Sequence, residues 1–266
     1  GADLLCGLFQ LDDLAVDFLS ALSEKLFRLP EIRGFDDLVA LSFWLRKANL
    51  YAMRTSLKPR ENSLGRGIVF HIAPSNVAMN FAYSFAFGLL AGNSNIVRLP
   101  SFEFQQTGLF IKVLRSVLEE SRFSKIAESN SFVRFDKASS NTRRISRISD
   151  ARMIWGGDAT IKAVRELPAK SRCIDIPFAD RYSLAIISSQ AIMDLTDQQL
   201  EDLAAKFLAD ALTFDQEACS SPHLVYWILD CEMGWEAKLR FQESLNEVAR
   251  AKFELSLSLS VRRYSS

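Results

Sequence analysis

Cys219 stands in Phe214-Asp215-Gln216-Glu217-Ala218-Cys219-Ser220-Ser221-Pro222, a polar turn of small residues between a helical run and a strand-like run. Backbone N–H groups near a thiol on such a turn favour thiolate character and nucleophilic attack. The bland alternative is a cysteine that only packs, the role read for Cys173 beside Ile174. His223 follows Cys219 by four positions and is read as structural, because a strand leaving the turn carries the ring away; His71 lies inside a strand-like run and is read as a core histidine. Asn76, in Ala73-Pro74-Ser75-Asn76, falls at the carboxyl end of a predicted strand. That edge of an open α/β sheet is where ligands bind, and an amide there can donate to a developing oxyanion or simply satisfy a turn. Asp175 between Ile174 and Ile176 is either a base or the partner of Arg172 or Arg181, since a carboxylate on an apolar strand is costly to bury alone.

Two further places suit an anion. Gly156-Gly157-Asp158 joins a predicted strand to a helix start, where backbone N–H groups receive phosphate. Arg98 ends another predicted strand and either reaches a ribose or its phosphate or is a solvated edge residue. Gly65-Arg66-Gly67 is a weaker signal for a dinucleotide fingerprint than Gly156-Gly157, because it precedes a strand instead of following one.

The elements that must position these residues come in three stretches. The first sixty residues read as helical, with Leu14, Phe18, Leu22 and Leu26 on one face and Leu38, Leu41, Leu45 and Ala48 on another. From Gly67 strands alternate with helices: strands at Gly67–Ala73, Asn95–Leu99, Phe132–Phe135, Met153–Trp155, Arg172–Ile176 and Tyr182–Ile187, with helices near Asn80–Ala91, around Leu109–Leu118, and from an Asp158 or Thr160 cap through Leu167. Such alternation predicts βαβ crossovers and a mostly parallel sheet. After Ser188 the pattern predicts one long helix opened by a Thr196/Gln199 capping box, then the Cys219 turn, a strand over His223–Leu229, a helix over Glu236–Phe253, and a half-buried strand at Leu255–Val261. The division expected is residues 1–188, N-terminal helices plus a dinucleotide-binding domain, and 189–266, part of a catalytic domain bearing the nucleophile.

Composition narrows the function classes. Lys+Arg and Asp+Glu balance at 32 each, which removes the electrostatic case for a nucleic-acid or anionic-membrane partner. Four cysteines and two histidines without paired-ligand spacing predict neither a disulfide framework nor a metal site. The longest apolar stretch, Phe81–Ala91, is interrupted by Tyr83, Ser84 and Gly88, so no membrane span is expected. With no basic leader in view, the expectation is a reduced, cytoplasmic protein.

The motifs taken together resemble one family. Gly67-Ile68-Val69-Phe70-His71-Ile72-Ala73-Pro74-Ser75-Asn76-Val77, Asn80-Phe81-Ala82-Tyr83-Ser84 and Gly88-Leu89-Leu90-Ala91-Gly92-Asn93-Ser94-Asn95-Ile96-Val97-Arg98 are similar to the LuxC-type acyl-CoA reductases. These are the reductase components of bacterial luminescence systems and their non-luminous relatives, a branch of the aldehyde dehydrogenase superfamily. Arg152-Met153-Ile154-Trp155-Gly156-Gly157-Asp158, Asp180-Arg181-Tyr182-Ser183 and the Cys219 segment carry the same likeness in the same order. The resemblance implies an aldehyde-dehydrogenase-like α/β fold with a Rossmann-type parallel sheet domain, and NADPH-dependent reduction of a fatty acyl thioester to the aldehyde. By it, Cys219 matches the catalytic thiol, Asn76 the oxyanion-hole amide, and Asp175 roughly the general-base position. Pro74, Ser75, Arg98, Trp155, Gly156 and Gly157 fall around the cofactor, with Arg98 compatible with a 2′-phosphate. An acyl-CoA or acyl-protein substrate, an acyl-protein synthetase partner and a homo-oligomer of the full-length type are also implied. Only 47 residues follow Cys219, so the catalytic domain is expected to be truncated. A cysteine acyl carrier or acyltransferase without nicotinamide, and an inactive remnant acting as a binding subunit, are the competing readings.

Overall fold

Runs of β-branched and aromatic residues build five strands: β1 (Ile68–Ile72), β2 (Ser94–Arg98), β3 (Asn130–Val133), β4 (Ala151–Trp155) and β5 (Ile174–Phe178). The computed structural model describes residues 12–57, 64–74, 77–136, 139–179, 182–212, 221–228 and 234–252. The five strands lie in the order β3-β2-β1-β4-β5, and every neighbouring pair is parallel. Between them run α4 (Asn80–Leu90), α5 (Gln105–Leu118), α6 (Ser124–Ser129), α7 (Ser140–Ile148) and α8 (Asp158–Arg165). Parallel neighbours need such crossovers because a tight hairpin cannot return the chain to the same end of the sheet.

The two sheet faces separate by strand alternation. Phe70 and Ile72 of β1 and Ile154 of β4 pack with Ile161 and Val164 of α8 and with Ile145 of α7. On the other face, Val97 joins a larger cluster built from α4, α5 and the N-terminal helices α1 (Asp13–Phe27), α2 (Asp36–Trp44) and α3 (Lys47–Leu57). The Phe18 ring meets Phe85 and Phe123 edge-on at 6.3 and 5.3 Å, tying α1 to the crossover helices. α1 opens on Asp12, whose carboxylate accepts from the Leu14 N–H at 2.7 Å.

The chain divides into two units, Gly1–Ala179 and Asp180–Ser266. In the second, β6 (Ser183–Ser188) pairs in parallel with β7 (Pro222–Ile228), connected by α9 (Ser189–Asp194) and α10 (Asp197–Leu212) and followed by α11 (Gly234–Lys252). One face of this two-stranded sheet carries Ile187 and Trp227 onto Ile192, Leu200, Ala237 and Phe241. Leu184, Ile186, Leu224, Tyr226 and Ile228 are exposed.

Several expectations are corrected. The strand near Tyr182–Ile187 does not close the first series; it pairs with β7, so the break between units falls at Ala179/Asp180 and not at 188/189. The helical run through Leu38 and Ala48 is interrupted at Leu45, where the backbone leaves helical geometry, giving α2 and α3. The long helix after Ser188 is likewise two helices, with the capping box at the start of the second: Thr196 N–H donates to Gln199 Oε1 at 3.0 Å and Gln199 N–H to Thr196 Oγ1 at 3.4 Å. α8 begins from Gly157, and Asp158 lies in its first turn. The strand expected at Leu255–Val261 lies outside the described residues.

Candidate functional site

From β1 the chain winds outward to β2 and β3, then returns past β1 to place β4 and β5 on its other side. This reversal puts a switch point between β1 and β4, and in open parallel sheets ligands enter the crevice beyond the carboxyl ends at that point. Several residues singled out in the sequence are brought to this edge. Pro74 follows β1, Arg98 ends β2, and Trp155 ends β4 and leads through Gly156 and Gly157 into α8.

Arg98 is not a solvated edge residue: it is 5% exposed, with Nε donating to the Phe135 carbonyl at 3.3 Å and Nη2 to Ser101 Oγ at 3.3 Å. Its guanidinium also lies 5.4 Å from the Phe135 ring centroid. Burial pulls its pKa below the ordinary arginine value while nearby Asp136 acts the other way. Among the described residues no carboxylate stands within 4.0 Å of this cation, whereas Arg152, Arg134 and Arg54 all have one. A buried guanidinium at a ligand edge, whose hydrogen-bond partners among the described residues are a carbonyl and a hydroxyl, suits an incoming anion.

Gly156 has φ +151°, and a side chain there would place its Cβ 3.2 Å from Thr160 Cβ and Cγ2. The tight turn therefore needs glycine. Gly157 caps α8 without a side-chain hydrogen bond, so no protein oxygen from a cap side chain occupies the helix start. The Trp155 indole stacks on Phe178 of β5 with ring centroids 4.0 Å apart and planes 7° from parallel, and its Nε1–H donates to Ser84 Oγ at 3.3 Å.

Asp175 is paired, with a partner other than those expected. Arg152, directly opposite it in the β4–β5 register, donates from Nε to Oδ1 at 2.6 Å and from Nη2 to Oδ2 at 2.8 Å. Arg152 Nη1 donates in addition to the carbonyls of Val164 at 2.8 Å and Leu167 at 3.3 Å, closing the last turn of α8. A carboxylate gripped through both oxygens by a buried guanidinium is built to hold β5 and α8 to β4.

Cys219, Asn76 and Ser75 lie outside the described residues. His223 is exposed, its ring 5.3 Å from that of Tyr182. Cys173 is half-buried, and burial raises its thiol pKa, consistent with an unreactive cysteine. His71 is fully buried, hydrogen-bonded to Ser84 and Asn95, as read from the sequence. Sequence reasoning missed Ser84 and Phe178. Ser84 interrupts the apolar run of α4 and Phe178 follows a proline, and neither position signals a tertiary partner by itself. A polar residue inside an otherwise apolar helix was the available signal for Ser84.

Comparison with known proteins gives the family and the fold. A family model described as acyl-CoA reductase (LuxC) matches residues 47–258. A long-chain acyl-protein thioester reductase of Aliivibrio fischeri is 28% identical over 170 residues, covering 62% of this chain and 33% of the relative. Among solved structures, a lactaldehyde dehydrogenase superposes with a TM-score of 0.63 at 15% identity, over 89% of this chain and 51% of that one. An NAD-dependent benzaldehyde dehydrogenase from Corynebacterium glutamicum gives 0.61 at 14%, over 87% and 54%. The fold is thus that of the aldehyde dehydrogenases, and the chain spans about half the length of these structures and a third of the curated relative.

Proposed function

Since this chain belongs to the acyl-CoA reductase (LuxC) family, we propose that it takes part in NADPH-dependent reduction of a fatty acyl thioester to the aldehyde, with Cys219 as the acyl acceptor. The observation that carries the reading is the convergence of Pro74, Arg98, Trp155 and Gly156-Gly157 on the switch-point edge of a 3-2-1-4-5 parallel sheet. An anionic dinucleotide fits these residues. Arg98 offers a buried cation for a ribose 2′-phosphate, and the glycine turn into α8 offers backbone N–H groups to the pyrophosphate. Trp155 and Phe178 supply a flat aromatic wall.

In the proposed reaction the Cys219 thiolate attacks the acyl carbonyl and a C–S bond forms. The Asn76 amide and the Cys219 backbone N–H stabilise the tetrahedral oxyanion, and the acyl carrier's thiolate leaves. NADPH, when bound, supplies the hydride that reduces the acyl–cysteine. The thiohemiacetal oxyanion left on Cys219 then collapses and expels the Cys219 thiolate, releasing the aldehyde. Asp175 has no part in this sequence: both its oxygens are engaged by Arg152, and transfer of an acyl group to hydride needs no activated water. Acyl-CoA and acyl-protein are both proposed donors, the latter delivered by an acyl-protein synthetase, with a homo-oligomer as the full-length assembly.

The test is aldehyde formation from a long-chain acyl-CoA and NADPH, with labelling by radioactive acyl-CoA in parallel. Cys219→Ala is expected to abolish labelling. Full labelling of that variant overturns the assignment of the thiol, and labelling of the unaltered chain without NADPH binding turns the reading toward an acyl carrier.

A further inference from the structure

A line of buried polar side chains crosses the sheet face beneath α4. Ser84 is 1% exposed, His71 and Asn95 are 0%, and Asn130 is 6%. Polar groups this deep persist only when each is hydrogen-bonded, so the direction of every bond can be worked out from one end. Asn130 donates from Nδ2 to the Ile126 carbonyl at 2.7 Å and to Ser129 Oγ at 3.0 Å, which leaves its Oδ1 as the acceptor. That oxygen accepts from Asn95 N–H at 3.1 Å and Nδ2 at 2.7 Å. Asn95 Nδ2 also donates to the Asn93 carbonyl at 2.9 Å, so Asn95 turns its Oδ1 to His71 Nε2 at 2.8 Å. An amide oxygen only accepts, and His71 therefore carries its proton on Nε2 and presents a bare Nδ1. Ser84 Oγ lies 2.8 Å from that Nδ1 and 3.6 Å from Met153 Sδ; the nearer and stronger acceptor takes the single hydroxyl proton. The Ser84 lone pair is then open to the indole N–H of Trp155 at 3.3 Å.

We propose that Ser84, His71, Asn95 and Asn130 form a positioning relay that fixes the indole plane of Trp155, and with it the Trp155–Phe178 wall, for the bound dinucleotide. The assignment of that edge to NADPH rests on the reading above; the orientation of the relay does not. Trp155 lies immediately before the Gly156-Gly157 turn, so a ring locked to the sheet core also fixes where the turn into α8 begins. Gly88 maintains the arrangement, because an added Cβ would overlap Asn95 Oδ1 and stand 2.9 Å from His71 Cε1 and Nε2. The ring is held neutral by burial down to about pH 4, so the proton order does not invert in the neutral range.

The experiment uses the whole chain labelled with 15N at histidine and tryptophan. Long-range 1H–15N spectra of the unaltered protein are expected to show His71 protonated on Nε2, and protonation on Nδ1 overturns the relay without any variant. In Ser84→Ala, the Trp155 indole N–H, assigned by its loss in Trp155→Phe, is expected to shift and to exchange with solvent at least about tenfold faster. NADPH binding, followed by titration, is expected to weaken roughly tenfold while acyl labelling of Cys219 stays within about twofold. An unchanged indole resonance overturns the relay. A shifted resonance with unchanged NADPH affinity overturns its cofactor role. If the unaltered chain binds no NADPH while His71 carries Nε2–H and the indole responds to Ser84→Ala, it is the functional reading that falls.

Discussion

Asp175→Asn separates a structural carboxylate from a catalytic one. Arg152 is 4% exposed at its side chain, and two of its four hydrogen bonds go to the carboxylate it faces. An asparagine keeps the shape and one acceptor oxygen, but sets an NH2 against a guanidinium N–H and leaves the cation without its counter-charge. Breaking a buried pair from one side costs about 3–5 kcal/mol. The Asp175 side chain is 19% exposed, so water relieves part of this, and the low end, about 3 kcal/mol, is expected. For a unit of this size each kcal/mol moves the melting midpoint by about 2–4 °C, which gives a fall of roughly 6–12 °C. Thermal unfolding reads the loss, and acyl labelling below the new midpoint should be near normal. The double variant Arg152→Met/Asp175→Leu should recover much of the stability, falling short by about 1 kcal/mol for each carbonyl, Val164 and Leu167, that loses its donor. An Asp175→Asn protein that melts with the unaltered chain but forms aldehyde orders of magnitude more slowly would refute the structural role and restore the base.

His71 makes the first unit pH-sensitive. Its folded pKa is lowered from 6.5 to about 4 by burial, so the unfolded chain takes up a proton over that interval and the folded one does not. The contribution is full above about pH 6.5 and is lost as pH falls toward 4, making the protein about 2 kcal/mol less stable at pH 5 than at pH 7 from this group. Urea unfolding at the two values should show the difference, and His71→Gln should remove it; an identical pH response in the variant counts against the assignment. Gly88→Ala should destabilise by about 1–3 kcal/mol despite alanine's better helix propensity, because the methyl group meets Asn95 and His71; a melt equal to or above that of the unaltered chain contradicts the packing described. Asp12→Ala should cost about 1 kcal/mol through loss of the α1 cap, and Asp12→Ser should restore most of it.

The strand–helix alternation from Gly67 onward was legible because parallel strands are short apolar runs bounded by turn residues. β1, β2, β4 and β7 fall within two residues of the expected bounds. α7 was not legible: Ser140-Asn141-Thr142-Arg143-Arg144-Ile145-Ser146-Arg147-Ile148 has only two apolar residues, too few to show a helical face. The partner of β6 was hidden for a different reason, since its continuous apolar run Leu184-Ala185-Ile186-Ile187 suits either sheet and no local signal chooses between them. That Arg98 and Trp155 end strands and that the two glycines follow Trp155 at once was legible from the apolar runs before them. The Arg152–Asp175 pairing and the chain from Asn130 to Trp155 depend on which strands become neighbours, and that is set by the crossovers.

The strand order also sets a clock on synthesis. β1 occupies the centre of the five-stranded sheet, yet its β4 neighbour lies far along the chain: the Ile68 N–H is bonded to Asp150 Oδ2, 82 positions later. At roughly 5–20 residues per second, a ribosome needs roughly 4–16 s to deliver β4 after β1 has emerged. Through that interval one edge of Ile68-Val69-Phe70-His71-Ile72 has no strand to pair with, and Phe70 and Ile72 await Ile154 and the helix that carries Ile161 and Val164. An apolar strand edge exposed for seconds is a target for holdase chaperones and a seed for aggregation. Slowing translation between Ser94 and Asp150 should therefore lower soluble yield, whereas slowing it after Phe178 should not.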